Sequence, residues 1–508
     1  MSLFISREEE SKSGIREILD ACQCRSPQGI RLRNQRKIYR PNERQVLQNE
    51  LDAIAGLIPL VAKNDPEVIE AQSQLMRLRE LQGTLSYLEK DKLLSDTNFF
   101  ELKSAMLIFS KLNALERLKQ NAQIFFEDCT QAAQILEPSS SKSPGFHIYS
   151  DYSELLKDIR AEKRKLEIDI AKAKMADRPS LMRQRSLLVS RENNEEDRVR
   201  QELGTALKTH LPMLKANTKA CAMLDFRLAK AELAIKWKAC QPTLLSDEQP
   251  AELQEAVHPI IAQKLESQGT QFSPQSIRLE PGSTVISGAN MAGKSVALQT
   301  IFINLLITQM GYFPVCQALS TPLFDFFTFD SSQSGELNKG LSSFGLESVK
   351  IRNHYRYSQG RRGLIIMDEP ARGTNPAEAR AIVQTLCEAY GLSASIFLIA
   401  THYQVHPAKG IRFYQIRGIR PEELQQLPDW QAESIPTKTH KDSDYSKEDL
   451  ERVRFIQNLM DYRLSEVSAD TDVPSGAIRV AELLGMDEKL ITKMKSIWKK
   501  DQIINGKP

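Results

Sequence analysis

Long apolar runs are what this sequence most lacks. The longest, TIFINLLITQMGYFPVC from Thr300, is broken by Asn304 and Gln309 and falls short of the ~20 apolar residues that cross a bilayer. The opening MSLFISREEESKSG holds no apolar signal core. No membrane role is therefore expected, and the cytoplasm is the expected location. Cysteine is sparse, with 7 in 508 residues, and the only close pair, Cys22 and Cys24, has neither zinc nor redox spacing. Reduced, buried thiols are the expectation. No charge of one sign dominates: 68 Lys and Arg against 65 Asp and Glu leave +3. A dedicated nucleic-acid module is usually more basic, although a local patch fits within a balanced total.

What is present suits a globular protein with long solvated helices: 41% of residues are apolar and 26% charged. The length exceeds one ordinary core, so two or more domains are expected. Residues 1 to 135 read as helical throughout, with apolar residues three and four apart in VIEAQSQLMRLRELQGTLSYLEK and FFELKSAMLIFSKLNALERL. A Ser-rich break, EPSSSKSPG, follows. Residues 136 to 245 read as an antiparallel helical arm: Tyr152, Leu155, Ile159, Leu166 and Ile170 form one stripe, the chain turns near Pro179, and the pattern returns from about Glu195 to Trp237 with a kink expected at Pro212. Its tip carries Lys174, Arg178, Arg183, Arg185 and Arg191 against one acid, Asp177, which is either a solvated face or a binding surface.

After Pro242 the texture alternates between buried strands and helices. SIRLEPGSTVISGAN reads as a strand, a hairpin and a buried strand, and RRGLIIMDEP and SASIFLIATHY as two more. This is the βαβ pattern of an α/β domain with a largely parallel sheet, placed at 246–430. Residues 431–446 read as a polar loop, and the last sixty residues as helical again, within a final segment 431–508.

The chemistry lies in the α/β domain. In GANMAGKS, Gly288, Gly293, Lys294 and Ser295 meet the GxxxxGKS pattern, after the strand TVIS and before the helix VALQTIFINLL. Backbone N–H groups at such a helix start cradle phosphate oxygens; Lys294 is placed for the β- and γ-phosphates and the Ser295 hydroxyl for magnesium. Downstream, LIIMDEP ends a buried strand in Asp368, a second magnesium ligand, and Glu369, which can polarise the attacking water. ATP hydrolysis with Mg2+ is implied. ATHY ends the next strand with His402, where a side chain can sense the γ-phosphate, although a lone histidine is more often a satisfied core residue. In KGLSSFGLE, Ser342, Ser343, Phe344 and Glu347 lead into a helix whose N-terminus suits an anion; a nucleotide across a dimer interface is the expected one.

These motifs resemble the MutS family of ATPases. Its phosphate loop is of the GPNMGGKS type, so Asn290 and Met291 match its signature and Ala289 and Ala292 are small-residue departures. MDEPARGTNPAEA is similar to its acidic strand and following turn, with Pro370 departing from the branched aliphatic of the repair members. ATHY resembles its histidine switch, LSSFGLE its trans-acting segment, HPII at His258 the start of its ATPase domain, and SGAIRVAELLGMDEKLITKMK its dimerising C-terminal helices. LDFRLAKAELA, more weakly, is similar to the end of its lever helices. The resemblance implies an all-helical core and lever arm, then a P-loop ATPase domain, then C-terminal dimerisation helices. It implies ATP and Mg2+ as cofactors, nucleotide contacts from Asn290 and Met291 as well as the residues above, and a homodimer. The mismatch-reading, connector, clamp and nuclease domains of the family are expected to be missing.

Two functions of different class fit. One is a dimeric motor that remodels a protein client, of the type that reactivates an adenosylcobalamin-dependent aminomutase, with a second reactivase subunit as a further partner. The other is a DNA-binding family member in mismatch repair or recombination control. The missing DNA-holding parts favour the first; fold similarity alone does not choose.

Overall fold

The computed structural model describes residues 2–4, 10, 13–138, 145–288, 293–331, 343–419, 460–468, 478, 481–482, 484 and 486–504. The chain divides into two compact units. One comprises Met1–Ala21, Ile38–Leu51 and Lys236–Pro508, the other Cys22–Lys37 and Asp52–Ile235. The polar loop read at 431–446 lies outside the described residues.

The second unit is helical, and one buried carboxylate ties two distant parts of its sequence together. Asp225, on the helix Leu211–Lys236, accepts bonds from the backbone N–H groups of Arg25 (2.9 Å) and Ser26 (2.7 Å) and from the Ser26 hydroxyl (2.6 Å). Ser26 in turn caps the helix Pro27–Asn34 by accepting from the Gly29 N–H. Gly29 has no alternative there, since a Cβ would lie 2.2 Å from Asp225 Oδ2. One acidic residue of the LDF segment thus satisfies a helix start two hundred residues away in sequence.

Ser153 caps the helix Glu154–Lys172, which runs antiparallel to the helix Arg178–Lys208. The ion pairs give the direction: Arg160 meets Glu192 (3.0 Å) and Glu196 (2.8 Å), while Arg185 meets Glu167 (2.9 Å). A kink at Pro212 was the sequence expectation. Instead the helix ends at Lys208 and a new one begins at Leu211, with Pro212 in its first turn, where no intrahelical bond needs its missing N–H.

The first unit holds two sheets. The strands are β1 (Ser2–Phe4), β2 (Thr243–Leu244), β3 (Ala251–Ala256), β4 (Gln275–Leu279), β5 (Gly282–Ser287), β6 (Ala318–Thr321), β7 (Phe326–Ser331), β8 (Gly363–Asp368), β9 (Ile396–Ala400), β10 (Ile411–Ile419) and β11 (Met460–Val467). The larger sheet runs β1-β7-β8-β9-β5-β10-β11, parallel except for β11, and the smaller runs β2-β6-β3-β4. Strand β7 shows how the large sheet is covered on both faces. Its Phe327 and Phe329 meet Phe302 of the helix Lys294–Gln309 on one side, and its Phe326 meets Tyr357 at 4.9 Å on the other. Tyr390 stacks on Phe397 at 4.5 Å below that second face.

Three local expectations are corrected. The first residues are not helical, because Ser2–Phe4 pairs in parallel with β7; three residues carry no periodicity, and the sheet edge supplies the pairing. SIRLEPGSTVIS is no hairpin, since β4 pairs with β3 in one sheet while β5 lies between β9 and β10 in the other. Gly282 makes the crossing at φ +112°, and a Cβ on it would lie 2.6 Å from the Gly410 carbonyl oxygen. Within the last sixty residues, Met460–Val467 is a strand antiparallel to β10. Its Met460 and Leu464 are spaced like a helix face, which hides the alternation.

Candidate nucleotide site

The register across the sheet builds the site. Ile286 of β5 pairs with Ala400 of β9, and Ala400 pairs with Asp368 of β8, so the three strands end level. The segments that follow, carrying Gly288, His402 and Glu369, therefore leave the same carboxyl edge, where open α/β sheets bind ligands. Two backbone bonds tie the edge together, from Glu369 N–H to the Ala400 carbonyl (2.9 Å) and from Thr401 N–H to the Ile286 carbonyl (3.2 Å).

Lys294 is the first residue of its helix and is only 5% exposed. Its ammonium donates to the Gly288 carbonyl at 3.0 Å and stands 3.4 Å from Glu369 Oε1. Arg372 Nη1 lies 3.4 Å from the other oxygen of that carboxylate. Asp368 is buried, and its Oδ1 has no hydrogen-bond partner among the described residues. Burial pushes its carboxyl above the ordinary range; the Ser295 hydroxyl, Lys294 and Arg372 pull the other way, and the charge of Glu369 adds to the rise. An orphaned carboxylate oxygen beside a serine hydroxyl is an all-oxygen donor set, which suits a hard cation such as magnesium.

The turn after β8 is held in an uncommon backbone shape. Glu369 has φ +49° and Ala371 φ +62°, the left-handed region that costs a non-glycine residue about 1–2 kcal/mol. The Ala371 N–H donates to Glu347 Oε1 at 2.8 Å, and a hydrogen bond to a charged group offsets strain of that size, being worth ~1.5–3 kcal/mol. Burial raises the Glu347 carboxyl, with nearby Asp330 acting in the same direction.

His402 follows β9 with an exposed ring that packs on Tyr403 at 4.0 Å between centroids. Partial loss of water lowers its pKa, helped by Lys294 and Arg372 and opposed by Glu369, so the ring shares the field of the same cluster. Of the residues singled out from sequence, Gly288, Gly293, Lys294, Ser295, Asp368, Glu369 and His402 are brought to one edge. Asn290, Met291 and Ser342 lie outside the described residues. Ser343 is described only as the first backbone residue of the helix Ser343–Ser358. His258 has a structural place: it caps the helix Pro259–Ser267, with Nδ1 accepting from Ile261 N–H and Nε2 set 3.2 Å from the Ser13 carbonyl.

The sequence reading missed Tyr462. Its ring packs against the α-carbon of Gly293, where a Cβ would lie 2.9 Å from Tyr462 Cδ1, and Gly293 sits at φ +84°. The buried Gln275 amide donates to the Tyr462 carbonyl at 2.9 Å, holding β11 in place. An aromatic at an alternating position of DYRLS was the available signal.

A phosphate-loop helix, an acidic strand end and a level carboxyl edge define a P-loop nucleotide-binding domain. Residues 284–416 match MutS domain V. That segment of the chain is therefore similar to domain V of MutS. The chain is similar to Endonuclease MutS2 of Geobacillus sp. (32% identical over 224 residues, 43% of this chain and 27% of that protein) and of Leuconostoc mesenteroides (29% over 214 residues, 42% and 26%). It is also similar to the DNA mismatch repair protein MutS of Staphylococcus epidermidis (28% over 200 residues, 39% and 22%). The chain thus spans about a quarter of the length of these curated relatives. No helix among the described residues is long and apolar enough to cross a membrane.

Proposed function

We propose that this protein is an ATP-hydrolysing motor of the MutS type that works as a homodimer on duplex DNA. The observation that carries the ATPase reading is the buried contact of Lys294 with Glu369 beside the orphaned oxygen of Asp368. In this reading, Gly288 and Gly293 leave backbone room for the triphosphate, with Asn290 and Met291 completing the loop. Lys294 leaves Glu369 for the β- and γ-phosphates, which frees the Glu369 carboxylate to orient a water. Ser295 and Asp368 hold Mg2+, which neutralises charge on the phosphates when bound. His402 stands where it can report the γ-phosphate to the strand behind it. Ser342 and Ser343 serve the partner's nucleotide.

A C-terminal contact between copies is supported by the helix Glu488–Ile504, which exposes Leu490, Met494 and Ile497 at three- and four-residue spacing while burying Ile491. For the substrate, the names of the similar proteins speak for DNA, and the hairpin tip supplies cations. The aminomutase reading gains no support from them. The test is ATP turnover with and without duplex DNA, against Lys294→Ala as the control. Wild-type turnover no faster than the control would remove the ATPase reading; turnover and ATP affinity both blind to DNA would remove the DNA reading alone.

A further inference from the structure

We propose that Glu347 is a positioning residue for hydrolysis, whose carboxylate sets the turn that aims Glu369. This rests on the reading of Glu369 as the group that orients water. Two residues of that turn, Glu369 and Ala371, hold left-handed backbone although neither is glycine. Two bonds pin it. The Glu369 N–H is fixed to the Ala400 carbonyl at the end of β9, and the Ala371 N–H to Glu347 Oε1 at 2.8 Å. The first bond belongs to the sheet. The second comes from a helix, and it is the one bond in this pair that a helix movement can break.

That helix is itself anchored further along. Asp330, near the carboxyl end of β7, has Lys350 Nζ at 3.5 Å and His354 Nδ1 at 2.8 Å, one and two turns beyond Glu347. Glu347 stands between this anchor and the helix start at Ser343. A shift or tilt of the first turn therefore acts directly on the Ala371 bond, while the anchored part stays with β7. Without the acceptor, Ala371 loses what offsets its strained φ, the turn relaxes, and the Glu369 carboxylate swings from the position facing Lys294. Binding of ATP draws on Lys294, with which Glu347 makes no hydrogen bond or ion pair among the described residues. The effect belongs to turnover.

The experiment compares Glu347→Ala and Glu347→Gln with wild type, measuring kcat and KM for ATP, the Kd of a fluorescent ATP analogue and Tm. Glu347→Ala is expected to lower kcat roughly 10- to 100-fold, the scale of a catalytic group misplaced by about an ångström, with Kd and Tm held. Glu347→Gln keeps an acceptor oxygen and is expected to recover most of that loss. Three outcomes overturn the proposal: wild-type kcat in the alanine variant, loss of ATP binding and Tm along with kcat, or a glutamine variant as slow as the alanine one. A wild type no faster than Lys294→Ala instead removes the ATPase reading on which the proposal stands, and the two failures are told apart by that control.

Discussion

Lys294 Nζ lies 3.0 Å from the Gly288 carbonyl and 3.4 Å from Glu369 Oε1, so one buried cation joins the phosphate loop to the acidic strand end. The group proposed to bind phosphate and the group proposed to orient water are held as a pair, and the proposed chemistry needs them apart. Removing each should give a different defect. Lys294→Ala is expected to weaken ATP binding and turnover together. Glu369→Gln is expected to bind ATP and stall, with kcat reduced roughly a hundredfold or more, the loss seen when one preorganised polar group is removed. Equilibrium binding of labelled ATP beside steady-state turnover separates the two; equal wild-type rates in both variants would dismiss the site.

The proposed site shared between two copies is testable at the start of the helix Ser343–Ser358. Chains carrying Lys294→Ala and chains carrying Ser342→Ala with Ser343→Ala are each expected to be inactive alone. Mixed, a heterodimer holds one intact composite site, and part of the activity should return. No recovery despite demonstrated subunit exchange would count against a site built from two chains.

The cations of the hairpin tip limit how strongly the tip alone could hold DNA. Arg185 is engaged by Glu167, while Lys174, Arg178, Arg183 and Arg191 have no ion pair among the described residues. At ~0.9 per neutralised phosphate, four such contacts predict a logarithmic salt slope of about 4 per chain. Binding carried by the tip alone should be weak at physiological salt and indifferent to mismatches. Titration of matched and mismatched duplexes across a salt series measures the slope; a much steeper slope or a mismatch preference would show a DNA surface elsewhere.

His258 makes stability depend on pH in one direction. Burial lowers its pKa to about 4 from an ordinary value near 6.5, so the ring that caps Pro259–Ser267 is neutral near pH 7. The unfolded chain takes up the proton first on acidification. The contribution is therefore complete above about pH 6.5 and is lost as pH falls through about 4, with a total on the order of 3 kcal/mol. Denaturant midpoints at pH 7.5 and pH 5 should differ more in wild type than in His258→Asn. Equal differences would place the pH sensitivity elsewhere.

The nucleotide motifs were legible because each is local. GANMAGKS and LIIMDEP need only a strand before the loop and a helix or turn after it, and β5, β8 and the Lys294–Gln309 helix supply these. The residues that support them were not legible. Tyr462 lies against Gly293, 169 positions earlier in the chain, and Glu347 reaches Ala371 across 24. Asp225 closes on Ser26 over 199. A sequence shows periodicity and short spacing; it does not show which distant segment arrives.

Residue type and local order by themselves determined the chemistry: an ammonium on a helix start, two carboxylates at a strand end, and apolar strands able to bury beneath them. Strand order was decided only by the tertiary structure. It set β9 between β5 and β8, so that Ile286, Ala400 and Asp368 fall level and Lys294 meets Glu369. It also sent β4 and β5 into different sheets and brought β11 to the edge of β10. The reason is physical. Side-chain chemistry is a property of each residue, while sheet pairing is a competition among all strand edges that only the assembled core resolves.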